Sequence, residues 1–238
     1  MTTTTHSRIV PHEFTESEAL AEALAARLAG LLQKGIAERG EALLAVSGGN
    51  TPVRFFEALS KEKLDWDKVI VTLVDDRFVV PESERSNEGL AYRRLLKNEA
   101  AKAQFIPLYS PADSIQEAAG IANDRMAALP LPFDVVVLGM GNDGHTASFF
   151  PGGDRLAEAT RTDTTRLVST MSAEGAGEDR LTLTLPPIIN ARALFLHMEG
   201  NAKRAIFTEA LNDGPADDLP IRYVLRSAPS PIQLYWAP

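Results

Sequence analysis

His145 is the side chain best placed for proton transfer. It follows the apolar run FDVVVLGM (133 to 140) and the turn GNDG, so the ring stands at a strand end instead of in a core. An imidazole has an unperturbed pKa of about 6.5 and can accept a proton at neutral pH. The sequence after it predicts a short helix with His145 at its head, a position that favours the neutral, basic form. Asp143 is suited to orient the ring or another polar group, and Gly139, Gly141 and Gly144 give the loop its freedom. The competing reading makes Asp143 and His145 simple loop caps.

Three other segments could hold an anion. In ALLAV-SGGN-TPVRFFEAL a strand breaks at Gly48 and Gly49 and restarts as a helix near Pro52, so Ser47, Gly48, Gly49, Asn50 and Thr51 can present bare N–H groups. Such a turn also occurs for purely structural reasons. Neither GxxxxGK[ST] nor GxGxxG is met in this segment, which disfavours nucleotides. In VIVTLV-DDR, Asp75, Asp76 and Arg77 sit at the carboxyl end of a strand, the edge where open α/β sheets bind ligands. Carboxylates there could hold hydroxyls and Arg77 could grip an anion, or the group is a local Asp-to-Arg pair with a capping Asp. Further on, Arg180 opens RLTLTL, and Lys203 and Arg204 fall in the first turn of a helix, where cations oppose the dipole unless a bound anion reverses the balance. Solvated surface charge is the plainer reading.

The elements that must position these residues follow from periodicity. Leu20, Leu24, Leu28, Leu31 and Leu32 mark a first helix ending near Gly40, with Thr15 and Glu18 spaced as a capping box. Short runs at 42 to 46, 69 to 74 and 133 to 140 are apolar at nearly every position, as strands covered on both faces are, so a mainly parallel sheet in an α/β layer fold is expected. Helices are expected at 52 to 60, 87 to 99, 114 to 128 and 201 to 211. Strands are expected at 180 to 185, 193 to 198 and 232 to 237, some of them in a smaller antiparallel part. The stretch 213 to 220 reads as a surface loop, residues 1 to 12 as frayed, and 1 to 238 as a single domain.

Bulk properties narrow the function. The chain has 238 residues, 45% hydrophobic and 24% charged, and a net charge of −8, which argues against a broad nucleic-acid footprint. No run approaches the roughly 20 apolar residues needed to span a bilayer, and no export signal is evident at the start. The lack of Cys removes disulfides and thiolate sites and accords with a cytoplasmic location. The four histidines (6, 12, 145 and 197) form no HExxH or similar cluster, so no metal is expected, and His197 reads as a strand residue facing neighbouring side chains. A GxSxG elbow is missing, which leaves Ser47 without support as a nucleophile.

SGGNTP, DDRFVVPESERSN, GMGNDGHTASFFPG and RLTLT followed by GNAKR, in this order and at these intervals, resemble the 6-phosphogluconolactonase family, within the larger group that includes glucosamine-6-phosphate deaminase. The likeness covers 43 to 207 well and is looser at the tail, including PIRYVL. Two positions depart from the pattern: Asp76 stands where the family usually has Glu, and Asn50 where Ser is common. The resemblance implies a Rossmann-like sheet similar to that of the deaminase, and hydrolysis of 6-phospho-D-glucono-1,5-lactone without metal or organic cofactor. His145 would be the base on water, and Asp75 would orient Arg77 or a sugar hydroxyl. Gly48, Gly49, Gly141, Arg77, Arg180 and Lys203 would hold the phosphate or the carbonyl oxygen, with roles undivided. Partners beyond this small phosphorylated lactone are not implied, and the oligomeric state is left open.

Two other classes compete. A deaminase and isomerase of glucosamine 6-phosphate would need a carboxylate to carry a proton between carbons, formally Asp75, but the DDR and HTASFFPG stretches are lactonase-like. A sugar-phosphate sensing module would carry a DNA-binding region, and no helix-turn-helix signal precedes residue 42.

Overall fold

The computed structural model describes residues 9–238. From the amino end run β1 (Ile9–Glu13), α1 (Ser17–Arg39), β2 (Ala42–Val46), α2 (Val53–Leu59), β3 (Val69–Leu73), β4 (Asp75–Arg77), α3 (Asn87–Arg94), β5 (Gln104–Ile106) and α4 (Ile115–Ala127). They are followed by β6 (Val135–Leu138), α5 (Leu156–Ala159), β7 (Val168–Met171), β8 (Arg180–Leu183), α6 (Leu185–Ile189), β9 (Ala193–Glu199), α7 (Asn201–Ala210), α8 (Ile221–Ser227) and β10 (Ile232–Ala237).

Seven strands form one sheet in the order β1-β10-β9-β6-β2-β3-β5, every pairing parallel. β2 and β6 are buried at every position, which is why their sequences are continuous apolar runs without alternation. Leu20, Leu24, Leu28 and Leu32 of α1 share one buried face at a four-residue interval. The order also fixes where a ligand can enter. β2 leads outward to β3 on one side, and β6 leads to β9 on the other, so the loops leaving β2 and β6 part above the sheet. A cleft at the carboxyl end of such a switch point follows from the topology.

A second, antiparallel sheet has the order β4-β8-β7 and places Asp75 opposite Thr182 and Arg77 opposite Arg180. Val74 joins the two sheets: its N–H donates to Val46 O at 2.9 Å and its carbonyl accepts from Leu183 N at 2.8 Å. The chain thus passes from β3 through the buried Val74 directly into β4, which places Asp75 and Arg77 on the cleft wall.

The parallel α/β layer and the six strands read from sequence are present. β9 and β10 belong to the parallel sheet, however, so of the three late strands expected from the sequence only β8 is antiparallel. Residues 9 to 13 are not frayed but form an edge strand paired with β10; the rest of the Thr-rich start, with His6, lies outside the described residues. The Thr15 and Glu18 capping box is not formed: Glu16 is the N-cap of α1 and makes no side-chain cap bond. β4, β5 and β7, of three to four residues each, and the short α5, α6 and α8 were not read, being too brief to show a period. Among the described residues no helix is long and apolar enough to cross a membrane.

Asp76 anchors the junction between β4 and α3. Its side chain is fully buried and accepts from Arg77 N (2.8 Å), Asn87 N (2.7 Å) and Glu88 N (3.0 Å), satisfying first-turn donors of α3. Burial raises its pKa from 3.8 to about 6 against the opposing pull of these backbone bonds. The folded protein therefore holds this proton more tightly than the unfolded chain, so the group's contribution to stability is full below pH 3.8 and is lost as pH rises through about 6. The unfolding free energy of Asp76→Asn, measured against the parent by urea titration, should improve by about 2 kcal/mol between pH 4 and pH 7, most of what a shift of about two pKa units supplies. A difference that does not change with pH would contradict the assignment.

Candidate active site

The cleft above β2 and β6 is lined by Ser47, Gly48, Gly49, Asn50, Thr51, Asp75, Arg77, Gly141, His145, Arg180 and Lys203, so eleven residues singled out from sequence meet in one place. Asp143 stands directly behind His145. Met140, Asn87, Ala147 and His197 complete the wall.

His145 is carried by the loop that leaves β6. The expected helix after it is absent: residues 141 to 152 are turns and an isolated bridge between Thr146 and Phe149, so the ring does not head a helix. Direct hydrogen bonding holds it instead. Asp143 Oδ1 lies 2.5 Å from His145 Nδ1 and also accepts from His145 N at 3.1 Å. A carboxylate only accepts, so Nδ1 carries the proton and Nε2 is the basic nitrogen of the neutral ring. Burial works to raise the Asp143 pKa, but the hydrogen bond and charge of His145 outweigh it and hold the carboxyl below its usual range. The far face of the ring rests on Phe150, with centroids 4.3 Å apart.

The glycines of this loop have separate reasons. A Cβ on Gly141 would come within 2.2 Å of His145 Cε1 and 2.6 Å of Asp143 Oδ1, so any side chain there would expel the pair. Gly144 takes φ +75 and packs on Leu219, and its carbonyl accepts from Ile221 N at 2.8 Å, tying the loop to α8. The spacing Gly139-x-Gly141-x-x-Gly144 follows a strand as a dinucleotide fingerprint would, yet it opens no helix. It serves the His-Asp turn.

The glycine turn after β2 faces this loop. Gly139 N donates to Ser47 Oγ at 3.2 Å, which locks the two turns together. Gly49 adopts φ +88, and a Cβ on Gly48 would lie 2.1 Å from Asn87 Oδ1. That contact matters because the same Asn87 Oδ1 accepts from Arg77 Nη1 at 2.8 Å, a donor that also reaches Arg85 O at 2.8 Å. Arg77 Nε is buried without a hydrogen-bond partner among the described residues. Of the two roles expected for Asp75, orienting Arg77 is not the one its side chain takes, which leaves the sugar hydroxyl. Its Oδ2 accepts from Ser148 Oγ at 2.6 Å and lies 3.9 Å from Arg180 Nη1.

Arg180 and Lys203 complete the cationic wall. Arg180 is 6% exposed, donates from Nε to Glu178 O (3.2 Å) and from Nη2 to Ala176 O (2.5 Å), and sits 5.3 Å from the Phe150 ring centre. Burial lowers its pKa, opposed mainly by Asp75. The basic pair at the start of α7 divides. Lys203 Nζ turns inward to Thr51 Oγ1 at 3.1 Å, with its pKa lowered by burial, while Arg204 turns outward to Glu13 and over Trp236. Asn87 and Ser148, which sequence reasoning passed over, lie inside SERSN and HTASFF, but nothing in their types marks them apart from neighbouring polar residues. His197 is 2% exposed as expected of a buried strand residue, and it also reaches the cleft wall, with Nε2 3.2 Å from Glu199 Oε1. Among the described residues no three His, Asp or Glu side chains are grouped to hold a metal ion.

Fold and cleft together define an α/β protein of the switch-point class, with one Asp-held imidazole facing a cationic wall. A family model described as glucosamine-6-phosphate isomerases/6-phosphogluconolactonase matches residues 15–236, and the chain belongs to that family. The 6-phosphogluconolactonase of Rhizobium meliloti is 55% identical over 227 residues, spanning 95% of this chain and 98% of the relative. That of Pseudomonas aeruginosa is 45% identical over 92% of this chain and 90% of its own. The crystal structure of a 6-phosphogluconolactonase from Shewanella baltica superposes with a TM-score of 0.94 at 37% identity, covering 97% of this chain and 98% of that one. A monomeric glucosamine-6-phosphate deaminase superposes with a TM-score of 0.79 at 17% identity, a likeness in fold alone.

The balance at Asp143 can be read directly. In His145→Ala, burial remains while the imidazole's hydrogen bond and charge are gone, so the Asp143 carboxyl pKa should rise from below the carboxylate range to above its parent value. Carbon-13 NMR titration of the aspartate carboxyls checks this, and an unmoved Asp143 signal would show that the two side chains are not coupled.

Proposed function

We propose that this protein hydrolyses 6-phospho-D-glucono-1,5-lactone to 6-phospho-D-gluconate, with His145 as general base. The observation that carries the reading is the Asp143-held ring, whose Nε2 is left to a cleft that also contains Arg77, Arg180 and Lys203. Family membership supplies the substrate class, because relatives at 45 to 55% identity over nearly their whole length bear that name.

In this mechanism the phosphate is taken by Arg77 and Lys203. Both lie against the glycine turn, Lys203 through Thr51 and Arg77 through the Asn87 that packs on Gly48. Arg180 shares Phe150 with His145 and is assigned to the other end of the substrate, where charge develops on the carbonyl oxygen. Water attacks the lactone carbon as His145 Nε2 takes its proton. The tetrahedral intermediate collapses with cleavage of the bond from the acyl carbon to the ring oxygen, and His145 returns the proton to that oxygen, which becomes the hydroxyl of the open acid. No nucleophilic side chain, metal or organic cofactor enters this scheme. Residues 1–238 are read as one domain acting in the cytoplasm on a small phosphorylated sugar acid and on no nucleic acid.

Hydrolysis above the spontaneous rate by the parent, followed as acid release from freshly generated lactone, tests the activity. His145→Ala should lower kcat by about 10²- to 10⁴-fold, the range of general base catalysis, and leave the calorimetric Kd for 6-phosphogluconate within about threefold. Full turnover in the variant would remove His145 from the mechanism.

A further inference from the structure

Arg180 is buried beside a buried carboxylate and yet does not close on it. Of its donors, Nε is spent on Glu178 O and Nη2 on Ala176 O, while Nη1 stands 3.9 Å from Asp75 Oδ2, beyond hydrogen-bond reach. Arginine and carboxylate in such surroundings ordinarily meet at about 2.8 Å, often through two parallel bonds. What occupies the carboxylate is Ser148, whose fully buried hydroxyl donates to the same Oδ2 at 2.6 Å. Ser148 is fixed in turn by its own N–H, which donates to Thr182 Oγ1 at 3.2 Å, and by Ala147 before it, held at φ +50, a conformation that a non-glycine residue keeps only where its surroundings impose it.

We propose that Ser148 is a positioning residue for the reaction: by engaging Asp75 Oδ2 it keeps Arg180 Nη1 available to the carbonyl oxygen of the substrate. Ser148 lies three residues after His145 on one continuous turn, so the segment that supplies the base also sets the cation, and the two parts of the site move together. Without the hydroxyl, Asp75 recovers an unshared oxygen and draws Nη1 onto itself, which withdraws it from the transition state. The phosphate anchors Arg77 and Lys203 are not part of this network, so ground-state affinity is retained.

This inference rests on the lactonase reading, and a double-mutant cycle separates the two. Ser148→Ala in the parent should lower kcat by about 10- to 100-fold, the loss expected when one charge-assisted bond made in the transition state is removed, with KM changed less than about threefold. In an Arg180→Met background the same substitution should change kcat by less than about twofold, because the cation it served is gone. Losses that multiply across the two backgrounds, a loss confined to KM, or no loss at Ser148→Ala would each overturn the proposal while leaving the lactonase reading intact. Absence of hydrolysis by the parent would overturn both. Should Ser148→Ala not fold, as judged by circular dichroism, Ser148→Cys, of similar size and a weak donor, takes its place in the cycle under the same criteria.

Discussion

The hydrogen bond between Asp143 and His145 is the interaction on which the site depends. It selects the proton-bearing nitrogen, turns the other toward the cleft, and does so only because Gly141 offers no side chain where the ring and the carboxylate stand. The loop that carries the pair is restrained from three directions: Thr146 Oγ1 donates to Gly139 O at 2.8 Å, Gly144 O accepts from α8, and Ser148 is bonded to Asp75 and Thr182 on the antiparallel sheet. An imidazole at the end of an unrestrained loop would spend most of its time in other rotamers, and its alignment with a bound water would have to be regained in every turnover.

The fold explains why this loop meets cations at all. Parallel strands deliver their carboxyl ends to one edge, the divergence of the chain at β2 and β6 opens that edge, and the exit of β3 through Val74 brings Asp75 to Arg77 and β8 across from it. The three cations reach the cleft by different routes: Arg77 from β4 through Asn87, Arg180 from β8, Lys203 from the first turn of α7. Burial weakens the hold of Arg180 and Lys203 on their protons without neutralising either role, since a desolvated cation attracts an entering anion more strongly than one in water. A chain of net charge −8 thus concentrates positive charge at one small opening.

The sequence made the His-Asp turn legible because its meaning is local. A strand run ending in GMGNDGH places Asp143 and His145 two residues apart, and such a separation survives almost any tertiary arrangement. The helix expected after it failed for the same local reason: HTASFF lacks the length of period needed to tell a helix from a series of turns, and tertiary bonds to Thr182 and α8 settled the matter. Asp75 and Arg77 illustrate the opposite case. Two residues apart on a strand of three, they invite the reading that Asp75 orients Arg77 if not a sugar hydroxyl, but their protein partners come from elsewhere: Ser148 and Arg180 for Asp75, Asn87 and Arg85 for Arg77. Asp76 accepts from backbone N–H groups of β4 and α3 and does not line the cleft, so its side chain bears on the scaffold. The continuous apolar strands were plain in the composition, whereas β1, paired only at an edge, had nothing in IVPHE to announce it.

One imidazole working beside a phosphate anchor in a single cleft must tell a phosphorylated lactone from a plain one. The value of kcat/KM for 6-phospho-D-glucono-1,5-lactone should exceed that for unphosphorylated D-glucono-1,5-lactone by a factor on the order of 10³, the worth of two charge-assisted contacts at about 2 kcal/mol each. Equal values for the two lactones would show that the cationic wall does not hold the phosphate and would contradict the account.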